Sequence, residues 1–559
     1  MGGRRFLFSQ FRSSGGRASR RSAFQLRSKC APVGSKLLAT RRQHVRRNGA
    51  RPERGVAVQC FIDGDLSDTS TPFVVRQSAG MSSQLRLSHG WVAGTLDAES
   101  LDDARRRYRE EDQQTWPRVF IDDVCVDRHG AVMPSPELRV RPDDLRDACT
   151  VSQSRLSILL VRWGGAHRMG EGADPAAEGD GGWGALGCPP SDWYLDAFVA
   201  VGVLKHPLLG RAAEVLSLFI GSDAEMRAIR DEAGQIAGLM RGLRAASFWM
   251  LWPADFPTDW SSDEYVGYVE RRDMFASQRA LEATGRVASA FPHPADLWEW
   301  ITSKRWMATL APQCEASRLP ACALLSRQAV LRNPAAAART ALQRLEELRL
   351  ANRSTWASAS LADANSGRLT RGVVKIGWSW EAKFVWFWRG EASLAECLRA
   401  MLELPGCRSE FCLVQEWVDF DWELRLFFLP PRDWAPGASP PLRPEHFEYT
   451  AWENAENADA PQTFIKATAQ AALASFGGDE LAMASAHRQA TAASQPLIAE
   501  LFKHGAPVPM IRMDWMVKRR GPGQAQVVFG EYCEMGACCL KWQEGPPKIW
   551  RSALDLVLY

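Results

Sequence analysis

The chain lacks most of the short motifs that would place it in a common enzyme class. Its 559 residues contain no Gly-Lys dipeptide, so they contain no phosphate-binding loop of the Walker type. Protein-kinase signatures and the Gly-x-Ser-x-Gly element of α/β-hydrolases are also missing. The 13 cysteines form no Cys-x-x-Cys pair, which argues against structural zinc and a disulfide framework. No apolar run approaches the roughly 18 residues of a membrane-spanning helix, so no membrane span is expected.

Acidic residues are absent from positions 1–52, which hold 12 Arg and 2 Lys. The rest of the chain is acidic, with 54 basic against 65 acidic residues. An Arg- and Ser-rich stretch without acidic residues is typical of an organelle transit peptide, so we expect import into a plastid or mitochondrion. The alternative is a disordered basic tail on a cytoplasmic protein. Because the excess positive charge lies in this leader and not on a folded domain, nucleic acid is not an expected partner.

Changes in composition divide the chain into five regions. Residues 1–54 form the basic leader, and residues 55–165 form a small α+β module, β-grasp-like in its short strands, which is a candidate surface for a protein partner. Residues 166–192 are a Gly-rich linker. Residues 193–303 combine a helical segment, predicted over 193–246, with an α/β subdomain. Residues 304–559 form a C-terminal domain of strands and helices, and the fold class is α/β (α+β).

Lysine is scarce, with 11 Lys against 57 Arg, so individual lysines are informative. Lys375 ends the apolar strand that begins at Val373, and a predicted hairpin loop containing Gly377 and Ser379 follows it. A lysine that ends a strand beneath a loop of small residues suits the binding of phosphates. The alternative is an ordinary lysine on an edge strand.

Pairs of charged residues recur two positions apart on later predicted strands. Glu423 and Arg425 form one such pair, and Arg512 and Asp514 form another. Residues two apart on a strand share a face. Glu531 and Glu534 follow a further apolar strand. Carboxylates from neighbouring strands opposite cationic side chains can hold Mg²⁺ that bridges phosphates, although each carboxylate taken alone also suits a solvated face.

The order of these features along residues 247–545 resembles the ATP-grasp superfamily. In that family a first lysine precedes a second lysine on a strand, a linker strand offers its backbone to adenine, and an Arg-x-Asp strand and a Glu-x-Asn strand bind the metals. This chain has Cys533 where the family usually has Asn, and a thiol is a poor ligand for Mg²⁺. The resemblance implies that the cofactor-binding residues are Lys304, Lys375, Gly377, Ser379, Glu416, Trp417, Val418 and Glu423. It implies metal ligation by Asp514, Glu531 and Glu534, and catalytic roles for Arg425 and Arg512.

The resemblance also implies an activity. The expected reaction is ATP- and Mg²⁺-dependent ligation, with Mn²⁺ as an alternative metal. A small-molecule or peptide carboxylate would be activated as an acyl phosphate, which an amine or similar nucleophile would then attack. Two alternatives stay open on the sequence alone. The chain could be a non-catalytic ATP-binding or interaction protein, or a kinase-like phosphotransferase that uses the same fold.

Overall fold

The structure is a computed structural model. It describes residues 56–63, 73–109, 114, 116–126, 131–133, 137–147, 154–163, 206–260, 268–313, 318–351, 369–378, 384–430, 442–453, 463–503, 508–533, 542 and 544–558. All of these residues fall in one compact unit, Gln43–Tyr559. The predicted leader 1–54, the predicted linker 166–192, Ser379 and Glu534 lie outside the described residues.

A mixed sheet of twelve strands forms the first part of the described chain. Its strands before residue 165 are β1 (Val56–Asp63), β2 (Phe73–Arg76), β3 (Leu85–Leu96), β4 (Arg118–Ile121), β5 (Cys125–Val126), β6 (Val132–Met133), β7 (Glu137–Arg139), β8 (Leu145–Asp147) and β9 (Leu156–Trp163). Helix α1 (Leu101–Arg107) lies between β3 and β4. The side chain of Ser100 caps this helix by accepting a hydrogen bond from the backbone N–H of Asp103.

The sheet continues past residue 165 with β10 (Ala213–Ile220), β11 (Arg244–Met250) and β14 (Val287–Phe291). These strands lie parallel to β9 in the order β14-β11-β9-β10, and β10 pairs antiparallel with β3. Strands on both sides of the predicted boundary at residue 165 therefore share one sheet. Between and after them come α2 (Asp223–Asp231), α3 (Ala233–Leu239), β12 (Trp252–Ala254), β13 (Tyr268–Glu270), α4 (Arg271–Ala283), α5 (Ala295–Ser303) and α6 (Arg305–Leu310).

The helical prediction for residues 193–246 is wrong over residues 213–220, which form strand β10. This strand lies between β9 and β3, and its residues are buried almost throughout. A strand covered on both faces is a nearly continuous apolar run with no period of two. Such a run cannot be distinguished from a buried helix by its pattern alone. The packing of the sheet decides the outcome here.

A second sheet contains four antiparallel strands in the order β15-β18-β16-β17. These are β15 (Cys322–Ser326), β16 (Arg371–Lys375), β17 (Val385–Arg389) and β18 (Phe411–Glu416). The accompanying helices are α7 (Arg327–Arg332), α8 (Pro334–Ala351) and α9 (Gly390–Leu402). Helix α8 buries Ala341, Leu345 and Leu348, whose spacing places them on one helix face. The predicted hairpin of β16 and β17 is confirmed.

A third sheet contains five antiparallel strands in the order β21-β20-β19-β22-β23. These are β19 (Trp422–Phe428), β20 (Pro444–Glu453), β21 (Thr463–Ala467), β22 (Ile511–Gly521) and β23 (Gln524–Cys533). Its helices are α10 (Ala469–Ser475), α11 (Glu480–Phe502) and α12 (Gly545–Leu558), and α11 packs against β22 and β23. On β22 the apolar Met513, Trp515 and Val517 alternate with Arg512 and Asp514. The polar residues therefore lie on the opposite face.

The described helices include none that is long and apolar enough to cross a lipid bilayer.

Candidate functional site

Lys304 and Glu531 connect the helices before the four-stranded sheet with the five-stranded sheet. The ammonium nitrogen of Lys304 lies 3.6 Å from Oε2 of Glu531. Lys304 stands between α5 and α6, and Glu531 lies on β23. The Lys304 side chain is 13% exposed and that of Glu531 is 40% exposed. The pair marks the place where the residues predicted to bind ATP come together.

The backbone at Lys304 has a conformation that non-glycine residues seldom adopt. Its φ is 59°, in the left-handed region, and it ends α5 while it begins α6. Gly377, two residues after β16, lies against the same turn, because a Cβ on Gly377 would stand 2.6 Å from the carbonyl oxygen of Ser303. This close approach requires glycine. It brings the end of β16 next to Lys304.

Lys375 is a buried cation at the end of β16, with 9% of its surface exposed. Burial and, to a smaller extent, the nearby Lys304 lower the pKa of its ammonium group to about 8, while Cys322 and Glu531 act in the opposite direction. Within the described residues, no carboxylate forms an ion pair with Lys375. Two lysines thus stand close together where an anionic ligand would relieve their repulsion.

A row of four charged residues crosses one face of the five-stranded sheet. The strand registers place Glu448 opposite Arg425, Arg425 opposite Asp514, and Asp514 opposite Glu531. Residues directly opposite each other on neighbouring strands share a face. Glu448, Arg425 and Asp514 are buried. The row therefore forms a charged floor whose open end is Glu531.

Two ion pairs within single strands complete this floor. Nε and Nη2 of Arg512 each donate a hydrogen bond of 2.9 Å to one oxygen of Asp514. Nε of Arg425 donates to Oε1 of Glu423 at 2.7 Å. Burial raises the pKa of Glu423 to about 7. Arg425 acts to lower this pKa, but the Asp514 and Glu531 carboxylates act to raise it. The two pairs that were predicted to share a face, Glu423 with Arg425 and Arg512 with Asp514, are therefore in contact.

Glu531 is the carboxylate best suited to stay ionised beside a cation. Burial alone would raise its pKa, but Lys304, Lys375 and two arginines outweigh that effect and lower it. Asp514 and Glu531 are register partners, so two carboxylates stand side by side. Mg²⁺ in proteins is commonly held by one or two carboxylates together with substrate phosphates. This pair fits such a site, although the part of the chain that the structure describes contains no group of three metal-binding side chains arranged as a cage.

The predicted adenine-binding segment begins at Glu416, whose side chain faces the protein interior. The Glu416 carboxylate is fully buried, with Oε1 accepting a hydrogen bond from the Ala321 N–H at 2.6 Å. Oε2 lies 3.4 Å from Nε of Arg349 on α8. The Trp417 N–H donates to the Arg371 carbonyl at 3.4 Å. Of the backbone N–H groups in this segment, that of Val418 is left for a base, because it has no backbone acceptor among the described residues.

The structure brings most of the sequence-predicted residues to one place. Lys304, Lys375, Gly377 and Glu531 meet where the end of β16 reaches α5 and β23. The positions of Ser379 and Glu534 lie outside the described residues. The floor of the site contains Glu423, Arg425, Arg512 and Asp514.

Sequence reasoning missed Glu448 and Arg349. Glu448 lies on β20, a strand that was not predicted. An alternation of Phe447 and Tyr449 with His446, Glu448 and Thr450 is the signal that could have found this strand. No pattern in the sequence connects Arg349 with Glu416, because 67 positions separate them and only the packing of α8 brings them together.

Comparison with known proteins places the chain near a group of solved ligase structures at low similarity. D-cycloserine synthetase DcsG is 14% identical over 72% of this chain and 100% of its own, with a TM-score of 0.39. D-alanyl-alanine synthetase A from Vibrio cholerae O1 biovar eltor str. N16961 is 10% identical over 73% of this chain and 100% of its own, with a TM-score of 0.38. D-alanine–D-alanine ligase from Bacillus anthracis, in complex with ATP, is 11% identical over 73% and 97%, with a TM-score of 0.35.

These similar structures are ATP-grasp ligases, the superfamily that the order of motifs resembles. No family model and no curated protein match the chain.

Proposed function

We propose that the chain binds MgATP between its four-stranded and five-stranded sheets and uses it to join a carboxylate to an amine. The observation that carries this proposal is Lys375, a buried cation beside Lys304 and close to the carboxylate of Glu531, whose register partner is Asp514. Two close lysines suit the phosphates of a nucleotide. Two adjacent carboxylates suit the divalent cation that accompanies those phosphates.

The reaction proceeds in two steps, phosphorylation of the carboxylate and attack by the amine. An oxygen of the substrate carboxylate attacks the γ-phosphorus of ATP, the bond to the bridging oxygen breaks, and ADP leaves with the electron pair. The amine nitrogen then attacks the carbonyl carbon of the acyl phosphate, phosphate leaves, and the nitrogen gives up a proton. Neither step needs a nucleophilic side chain, so the protein acts by position and charge.

Each charged residue then has a defined task. Lys304 and Lys375 bind the phosphates, while Arg425 and Arg512 on the floor stabilise the negative charge that develops during transfer. Asp514 and Glu531 would hold Mg²⁺, which supplies charge neutralisation between phosphate oxygens. The backbone around Val418 would bind the adenine edge.

The test of this proposal is Mg²⁺-dependent release of ADP, screened over amino acids, peptides and small carboxylic acids. A carboxylate that supports ADP release should also yield a hydroxamate when hydroxylamine replaces the amine, because hydroxylamine traps an acyl phosphate. ADP release with a phosphorylated hydroxyl product and no hydroxamate would support the kinase-like alternative. A protein that binds no MgATP would refute the proposal.

A non-catalytic ATP-binding protein is the second candidate, and the Asp514 side chain favours it. Both carboxylate oxygens of Asp514 accept hydrogen bonds from Arg512. Cys533 is the register partner of Arg512 and supplies no hard ligand. This candidate predicts nucleotide binding that survives removal of Mg²⁺ by EDTA, and no ADP release with any carboxylate.

We also propose that residues 1–54 direct import into a plastid or mitochondrion, because the segment is rich in Arg and contains no acidic residue before Glu53. A fluorescent reporter fused behind these residues should enter the organelle. A reporter that stays wholly in the cytosol would refute this targeting role.

A further inference from the structure

The segment expected to bind adenine is held from behind by a buried ion pair. Arg349 lies near the end of α8, and Glu416 is the last residue of β18. Nε of Arg349 and Oε2 of Glu416 are 3.4 Å apart. Both atoms are buried, and neither makes a hydrogen bond to another described group. Each of these two atoms therefore depends on the other for its electrostatic partner.

Glu416 is also fixed by two hydrogen bonds to Ala321, the residue that precedes the neighbouring strand β15. Its carboxylate oxygen Oε1 accepts from the Ala321 N–H at 2.6 Å, and its own N–H donates to the Ala321 carbonyl at 3.1 Å. The following residue, Trp417, is held by its N–H bond to Arg371 and by the Arg371 guanidinium, 4.9 Å from the centre of its ring. The position of Val418 follows from these contacts.

We infer that Arg349 is a positioning residue for nucleotide specificity, acting through Glu416 to place the backbone that reads the purine base. This inference rests on the proposed function, because it assigns a role to the adenine end of the same site. The Glu416 carboxylate itself touches no ligand, since it is fully buried and both oxygens face protein groups. Arg349 belongs to a helix outside the sheet that carries the phosphate-binding Lys375.

The pair should affect the base and not the phosphates. Lys375 and Lys304 lie at the opposite end of β16 from Gly372, the residue paired with Glu416 in the sheet. Removing the Arg349 charge leaves a buried carboxylate with one hydrogen bond, and removing the Glu416 charge leaves a largely buried guanidinium, 14% exposed, without its anion. Either change favours a shift of the segment that begins at Glu416. Removing both charges leaves no buried charge without a partner.

The experiment measures binding of MgATP, MgGTP and magnesium tripolyphosphate to the full chain and to three variants. It is done at pH 8, because the pKa of Glu416 is about 7 and its carboxylate must be charged. The variants are Glu416→Gln, Arg349→Met and the two combined. Arg344→Met is the matched control, since Arg344 lies on the same helix, is half exposed and, in the part of the chain that the structure describes, forms its ion pair locally with Glu347 at 3.4 Å. Tripolyphosphate carries the phosphates without the base, so it reports on the lysines alone.

We expect each single variant to weaken MgATP binding by roughly 3- to 30-fold and to reduce the preference for ATP over GTP. Binding of tripolyphosphate should not change in any variant. The double variant should lose less MgATP affinity than the two single losses combined. Arg344→Met should bind all three ligands as the wild type does. Because the double variant buries no unpaired charge, it keeps the test informative if a single variant folds poorly.

Three outcomes would overturn the inference. Wild-type affinity for MgATP in both single variants would show that the pair does not position the base-reading segment. An equal loss of MgATP and tripolyphosphate would show a general structural role. Equal binding of MgATP and tripolyphosphate by the wild type would show that no base is read. If the wild type binds tripolyphosphate but the variants show one of these outcomes, the inference about Arg349 fails and the proposed phosphate site still stands. A wild type that binds neither MgATP nor tripolyphosphate refutes both proposals.

Discussion

At the scale of single residues, the site is defined by charges that are buried before any ligand arrives. Lys375 is 9% exposed and has a pKa lowered to about 8, and the nearby Lys304 contributes to that shift. A buried cation next to another cation is unfavourable in isolation. An anion bound between the two lysines would offset this cost, which is why the pair is more typical of a binding site than of a structural ion pair.

Replacing Lys375 with methionine tests this view directly. Lys375→Met should weaken MgATP binding by about 1.5–3 kcal/mol, the usual contribution of a hydrogen bond to a charged group. Isothermal titration calorimetry gives the affinity. The control is Lys503→Met, because Lys503 is 69% exposed and, among the described residues, its ion pair is with Glu500, three positions earlier. Equal affinities of Lys375→Met and the wild type would remove Lys375 from the site.

Asp514→Asn separates metal binding from nucleotide binding. An amide oxygen carries no net charge, so the variant should need more Mg²⁺ for the same ADP release while nucleotide binding survives at high Mg²⁺. The measurement is a Mg²⁺ titration of ADP release and of nucleotide affinity. Because Asp514 also accepts two hydrogen bonds from Arg512, urea unfolding must show that the variant is folded. An unchanged Mg²⁺ requirement would contradict the assignment of Asp514.

At the scale of elements, the site depends on how closely β16 approaches the turn between α5 and α6. Gly377 lies where a Cβ would stand 2.6 Å from the Ser303 carbonyl oxygen. Ser303 precedes Lys304, so a displacement at Gly377 moves one lysine relative to the other. The predicted strand that ends at Lys375 is confirmed, but its approach to the turn that carries Lys304 is a tertiary contact.

Gly377→Ala should therefore weaken both folding and nucleotide binding. We expect a loss of about 1–3 kcal/mol in unfolding free energy, because a carbon atom is forced into a packed contact with backbone. Urea unfolding and MgATP titration measure the two effects. The matched control is Gly238→Ala in α3, where a Cβ meets nothing within 4 Å and the helix should gain up to about 1 kcal/mol. A neutral Gly377→Ala would contradict the close approach.

The elements also show what the sequence can and cannot predict. Spacing of two residues on a strand correctly predicted that Glu423 and Arg425 share a face, as do Arg512 and Asp514. This inference works because strand geometry is local. Strand order is not local, so the row from Glu448 through Arg425 and Asp514 to Glu531 could not be predicted from spacing. The strand β10 was interpreted as helix for a related reason, since burial on both faces removes the periodicity of a strand.

At the scale of the whole molecule, buried carboxyl groups connect stability to pH. Burial raises the pKa of Glu416 to about 7, against the ordinary value of 4.5, even though Ala321 and Arg349 favour the charged form. The folded protein therefore holds a proton on Glu416 at pH values where the unfolded chain has released it. The stability contributed by this group is complete below about pH 4.5 and is lost as the pH rises through 7.

Glu416→Gln removes this dependence, because glutamine does not titrate. Relative to the wild type, the variant should gain about 2 kcal/mol of unfolding free energy between pH 5.5 and pH 8. Urea unfolding of both proteins at a series of pH values measures the difference, and other titrating groups such as Glu423 and His293 cancel in the comparison. A difference that stays constant across the range would show that Glu416 is ionised throughout in the folded protein.

The measurement that tests the central claim most directly is the unfolding free energy of the wild-type protein with and without MgATP. A ligand that binds only the folded state stabilises it by about 2.7 kcal/mol at a concentration of one hundred times its Kd. We predict a gain of this size with MgATP, a smaller gain with MgGTP at the same concentration, and a gain of only about 0.3–1.3 kcal/mol with MgATP when Lys375 is methionine. No change in the stability of the wild type at millimolar MgATP would contradict the claim that the two sheets enclose a nucleotide site.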